Sequence, residues 1–248
     1  MPESLTIRRI FLTNSPPKGK PIGFAQMNIL WKKKSMIATN GKTIYIARHG
    51  ETVFNAAGRM QGMYAHTPLT REGCAQGTDM GVALSRHIDA AAPLALISSP
   101  AGRTLQTLAL VAEELGRDWH THDTDVRLRE IDVGVWEGQY YSEVAPDIKT
   151  LMDAEHRLFI VKAPGGEDYA DVSERLVEWL SEQTFESDML IITHGMTARV
   201  LRGILLGLPK LDRFNASIAP SLAQGSMVAV CDGVEQLVID GAGVGERA

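Results

Sequence analysis

Short apolar runs alternate with longer stretches in which apolar residues recur every three or four positions. Residues 42–47 (KTIYIA), 93–99 (PLALISS) and 188–193 (DMLIIT) are brief and rich in strand-forming residues, so each predicts a strand. Between them, Thr70 is a candidate cap for a helix within 68–88, and Leu105, Leu108, Ala109, Ala112 and Leu115 form one helical stripe stopped by Gly116. Val172, Leu176, Val177 and Leu180 mark another amphipathic helix, and 197–208 is apolar almost all round, which predicts a buried one. Residues 118–123 (DWHTHD) read as a short strand, and 226–232 and 234–240 as two strands around an Asp232–Gly233 turn. Strands alternating with helices imply a mostly parallel central sheet covered on both faces, a three-layer α/β/α sandwich, with the last pair as an antiparallel edge.

In such sheets ligands bind beyond the carboxyl ends of the strands. Three strands here end in polar groups: Arg48-His49-Gly50, Ser98-Ser99-Pro100 and Thr193-His194-Gly195. All three gather on one edge. A guanidinium beside an imidazole suits a phosphate-like oxyanion, and Gly50 lets the backbone turn sharply and expose its N–H to a ligand. Standing alone, RHGE would be a surface arginine and a hydrogen-bonded histidine. Asn55, QG at 61–62, PLT at 68–70, Arg103 in SSPAGRTLQT and His194 in ITHG accompany it.

The ordered set ARHGETVFN…QG…TPLTREG…SSPAGRTLQT…LREIDVGVWEG…PGGE…ITHG, over roughly residues 43–240, resembles the histidine phosphatase superfamily, the phosphoglycerate-mutase-like fold. The resemblance implies that His49 takes up a phosphoryl group, that Arg48, Arg103, His194 and Asn55 build the phosphate pocket with Gly195 beside them, and that Glu130 is the proton donor. One departure is His66, where such proteins often carry aspartate. The chemistry is coherent without the family name. Phosphoryl transfer is mainly positioning and electrostatic stabilisation, which two arginines and a histidine supply without metal or organic cofactor. Nearby guanidiniums disfavour a charged His49 and so favour a nucleophilic one. Glu130 protonates the leaving alkoxide and then activates water. Glu51, Glu137 and Glu167 are rival carboxylates. GKT at 41–43 lacks the first glycine of a P-loop and precedes a strand, and HTH at 120–122 lacks further metal ligands.

Composition changes this picture at one end. The first 42 residues carry eight Lys/Arg against Glu3 alone, in a 248-residue chain of net charge −5. Residues 1–41 therefore read as a basic, solvated and poorly ordered extension, with Met27 and Met36 as alternative starts, and 42–248 as one catalytic domain. No signal peptide and no membrane-length apolar run is evident, and Cys74 and Cys231 are scattered thiols, so a cytoplasmic enzyme is expected. The expected partner is a small phosphorylated substrate; nucleic acid and membrane are not expected, and a homodimer is left open. Substrate contacts should come from 132–170. Lys149, Arg157 and Lys162 there are scattered cations without an adjacent arginine pair, which favours a phosphatase over a mutase. An intact His49 with Glu130 argues against a non-catalytic phospholigand binder, which needs the positive charge but not the proton donor.

Overall fold

The first strand, β1 (Ile44–Arg48), is buried along its whole length. An unbroken apolar run requires this of a strand covered on both faces. The computed structural model describes residues 37–146 and 148–241. After β1 come α1 (Val53–Ala57), α2 (Arg71–Leu84), β2 (Leu94–Ser98), α3 (Gly102–Glu114) and the two-residue β3 (Asp123–Thr124). Then follow α4 (Tyr141–Val144), α5 (Tyr169–Ser181), β4 (Asp188–Thr193) and α6 (Gly195–Leu205). A small hairpin, β5 (Lys210–Leu211) with β6 (Ala216–Ser217), precedes β7 (Met227–Cys231) and β8 (Val234–Ile239).

Six strands form one sheet in the order β3-β2-β4-β1-β7-β8. β1, β2, β3 and β4 run parallel, and β7 and β8 add the antiparallel edge. Strand alternation sends Ile44 and Ile46 to one face, where Leu176 and Trp179 of α5 and Val200 and Leu201 of α6 cover them. Tyr45 and Ala47 point to the other, against Met80 and Leu84 of α2 and Leu108 and Val111 of α3. The fold is the expected α/β/α sandwich.

Several elements differ in detail. In the 118–123 segment, Trp119–Thr121 forms a helical turn instead of a strand, because the Asp118 side chain caps the His120 N–H, and pairing begins only at Asp123. The final helix starts at Gly195, two residues before its apolar run, with His194 as its N-cap. It is buried throughout, and it takes Arg199 and Arg202 inside with it. Arg202 is paired with Glu235, and Arg199 is held by the carbonyls of Ala219 and His156. α1 and α4 are too short to show a period; Thr52 and Asn55 cap each other's backbone to start α1.

Most of the expected N-terminal extension lies outside the described residues. Its last few residues do not. Thr39 is buried, and its hydroxyl bonds both the side chain and the N–H of Asp232 in the β7–β8 turn, so packing begins before position 42. Among the described residues no helix is long and apolar enough to cross a membrane.

Candidate active site

The parallel register brings the three polar strand ends level: Arg48 lies opposite Thr193, and Ser98 opposite Ile192. His49, Ser99 and His194, one residue further on, are all buried at that edge. A cavity of about 430 Å³ opens there, and Arg48, His49, Asn55, Arg103 and Glu130 all line it. Residues far apart in the chain thus meet in one place.

His49 leaves one ring nitrogen for chemistry. Its Nδ1 lies 2.7 Å from the Gly50 carbonyl oxygen, which can only accept, so Nδ1 carries the proton and the Nε2 lone pair remains. Burial first, then the Arg103 and Arg48 guanidiniums, hold the imidazole well below its ordinary pKa, against the raising effect of the Gly50 carbonyl. The Gly50 N–H does not face a ligand as expected; it donates to Thr107 Oγ1 at 3.1 Å. Glycine is needed because α2 crosses so closely, where a Cβ would stand 2.3 Å from the Gly73 carbonyl oxygen.

Arg48 donates through Nη1 to the Leu222 carbonyl at 2.7 Å, and its guanidinium packs over the start of α6. A Cβ on Gly195 would lie 3.2 Å from Arg48 Cζ. Arg103, in the first turn of α3, is almost fully buried. Its Nη2 donates to the Gly62 carbonyl at 2.9 Å and its Nη1 to the Tyr64 carbonyl at 2.6 Å. Burial pushes its pKa down to about 10, with Glu130 and Glu137 pulling upward.

His194 stands one layer behind the cavity instead of lining it. Its Nδ1 accepts from Arg103 Nε at 3.1 Å, which leaves Nε2–H to donate to Ser99 Oγ at 2.8 Å. The ring is edge-on to His49, with centroids 5.3 Å apart. Burial, Arg103 and then His49 keep it well below its ordinary pKa. A neutral His194 holds Arg103 in orientation and adds no charge of its own.

Glu130 reaches the first turn of α6. Its Oε1 accepts from the Thr197 N–H at 3.0 Å and from Thr197 Oγ1 at 3.2 Å, and both oxygens lie 3.2 Å from the Met196 N–H. Anions favour a helix N-terminus for this reason. Among its rivals, Glu51 also lines the cavity and accepts from Thr70 Oγ1 at 2.8 Å. Glu137 accepts from the Met63 N–H, and Glu167 pairs with Arg129 and Arg175.

Asn55 presents its amide N–H groups, because Oδ1 accepts from the Thr52 N–H and Oγ1. Gln61, known from the sequence only as part of QG, is arranged alike. Its Oε1 accepts from the Thr67 hydroxyl at 2.7 Å, and it lines the same cavity. Sequence reading missed Arg59, which lines the cavity from the loop after α1. Its guanidinium stacks 4.0 Å from the Tyr140 ring centroid and donates to the Gly138 carbonyl and to Tyr140 Oη. No local motif marked it. Lys149, Arg157 and Lys162 are exposed, none lines the cavity, and Lys162 pairs with Asp171. Among the described residues no cluster of three or more His, Cys, Asp or Glu is arranged to hold a metal ion.

A model of the histidine phosphatase superfamily (branch 1) matches residues 44–234, and the chain belongs to that superfamily, whose members are phosphatases or mutases. It is similar to a protein from Yersinia pestis (strain Pestoides F) named "Probable phosphoglycerate mutase GpmB". The two are 31% identical over 204 residues, covering 75% of this chain and 90% of that one. Among solved structures, TTHB049 from Thermus thermophilus is 31% identical with a TM-score of 0.51, over 76% of this chain and 92% of its own. A mycobacterial glucosyl-3-phosphoglycerate phosphatase solved with VO3 has a TM-score of 0.62 at 23% identity, over 80% and 98%, a likeness of fold alone.

Proposed function

We propose that the chain is a phosphomonoester hydrolase working through a phosphohistidine on His49 Nε2. The observation that carries this is the fixed His49 tautomer, facing a cavity shared with two buried arginines and Glu130. In the first step the Nε2 lone pair attacks phosphorus and the ester P–O bond breaks. The departing oxygen takes a proton from Glu130. Arg48, Arg103 and the amide N–H groups of Asn55 and Gln61 face the phosphoryl oxygens, on which negative charge is spread. In the second step water attacks phosphorus while Glu130 accepts its proton, and the P–N bond breaks to return neutral His49 and inorganic phosphate. His194 acts through Arg103.

The relative's name favours a second reading, a mutase that returns the phosphoryl group to the substrate. A mutase must grip a second anionic group while the substrate reorients. The exposed positions of Lys149, Arg157 and Lys162 support the hydrolase instead, since they offer no such grip. Among the described residues they leave Arg59, held against the Tyr140 ring, as the one lining cation besides Arg48 and Arg103.

Phosphorus NMR separates the two. Phosphomonoesters supplied with EDTA should release inorganic phosphate, whereas 3-phosphoglycerate with catalytic 2,3-bisphosphoglycerate should give little 2-phosphoglycerate. Isomerisation much faster than any hydrolysis would reverse the assignment. Glu130→Gln should slow alkyl phosphates by about 100- to 10,000-fold and aryl phosphates with good leaving groups far less. Equal losses across a leaving-group series would pass the acid role to Glu51.

A further inference from the structure

Besides the groups assigned to phosphate, the cavity is lined by an apolar wall of Met60, Ile131, Val133, Met152, Phe159 and Met196, together with the polar Glu51, Arg59, Tyr141 and Gln224. The six apolar residues come from four separate parts of the chain: the loop after α1, the segment following Glu130, the 151–160 turn, and the first turn of α6. Each is at most 9% exposed, so the wall is set into the core and does not lie on the surface. Two of its members are fixed to each other, because Met152 and Phe159 form an antiparallel bridge. The turn between them is closed by the Asp153 N–H on the Leu158 carbonyl at 2.8 Å, and the Ile160 N–H reaches the Leu151 carbonyl at 2.9 Å.

We infer that the preferred substrates are phosphomonoesters of apolar alcohols, alkyl or aryl, and not sugar-acid or bisphosphorylated esters; the inference rests on the phosphatase reading above. Three of the six wall residues are methionines, whose unbranched thioethers adapt to different apolar shapes, so the wall selects a class more than a single alcohol. A carboxylate or second phosphate at the wall would lose its hydration against buried apolar side chains. Arg59 is the cation nearest in chain position to this wall. Its two terminal nitrogens donate to Gly138 and Tyr140, which holds the guanidinium against the Tyr140 ring. The cavity, about 430 Å³, has room for more than a phosphoryl group.

The test uses n-alkylphosphonates, from ethyl to octyl, which carry the dianionic head and no scissile ester bond. Binding to the full chain is read by calorimetry, independently of turnover. The dissociation constant should tighten about two- to fourfold per methylene until the wall is filled, as each methylene leaves water. 4-Phosphonobutyrate should bind at least about tenfold more weakly than n-pentylphosphonate, which has similar length. Met152→Gln and Phe159→Leu should each compress the ratio between ethyl and hexyl affinities. A flat wild-type series, a tighter 4-phosphonobutyrate, or an unchanged ratio in both folded variants would overturn the inference. A flat series beside brisk phosphate release would remove the apolar wall and leave the hydrolase standing. A steep series with no ester hydrolysed would do the reverse.

Discussion

The His49 imidazole is enclosed by guanidiniums and apolar packing, and this couples folding to pH. Its folded-state pKa, like that of His194, lies well below the ordinary value of 6.5. Below about pH 6.5 the unfolded chain therefore binds protons that the folded chain refuses, and stability falls as pH drops toward the folded-state values. Above pH 6.5 both states are neutral and the effect vanishes. Each imidazole contributes a slope of at most about 1.4 kcal/mol per pH unit within that window. The melting temperature should drop between pH 7 and 5, with a shallower slope in His49→Asn, whose amide can still donate to the Gly50 carbonyl but does not titrate. Equal slopes would mean that other groups, carboxylates among them, carry the acid sensitivity.

Helix α6 joins three functions at its first turn: His194 caps it, its N–H groups hold Glu130, and Gly195 makes room for Arg48. The backbone at Gly195 is ordinary, so alanine there is compatible with a helix. Its methyl would nevertheless press on the guanidinium at 3.2–3.4 Å. Gly195→Ala should keep its melting temperature and lose up to about tenfold in kcat/KM, because a small displacement of a clamping group is costly. Gly50→Ala should do the opposite in kind. A Cβ 2.3 Å from the Gly73 carbonyl meets backbone that cannot swing aside, and overpacking of this sort costs about 1–3 kcal/mol or more. Thermal melts alongside phosphate release would separate the two; a Gly195→Ala protein that melts early would contradict the account of α6.

At the scale of the whole molecule, the sheet edge opposite the site depends on the chain that leads into β1. Thr39 ties that lead to Asp232 in the β7–β8 turn, and Ile37 packs on the main core. A chain beginning at Met36 should fold and retain activity, since every proposed catalytic group lies after it. One beginning at Thr43 should lose about 1–3 kcal/mol, from the severed buried hydrogen bonds and the uncovered apolar surface. Urea denaturation would measure the difference. Equal midpoints for the two would show that residues 37–42 add nothing to stability.

Much was determined by sequence alone. Apolar runs specified strands β1, β2 and β4, period-three-to-four stripes specified α2, α3 and α5, and Arg48, His49, Arg103, Glu130 and His194 stood out by type and order. These signals are local: a strand's alternation, a helix's stripe and a cap are written within a dozen residues. Tertiary structure decided what no local pattern carries. Parallel pairing set the three strand ends level, and hydrogen-bond partners fixed which nitrogen of His49 is protonated. They also placed His194 behind Arg103 instead of against the cavity. The same holds for Arg59 and the apolar wall, whose members lie up to 136 positions apart, from Met60 to Met196. They become one surface only when the sheet and its helices close around them, because burial at that edge depends on long-range packing and not on any neighbour in the chain.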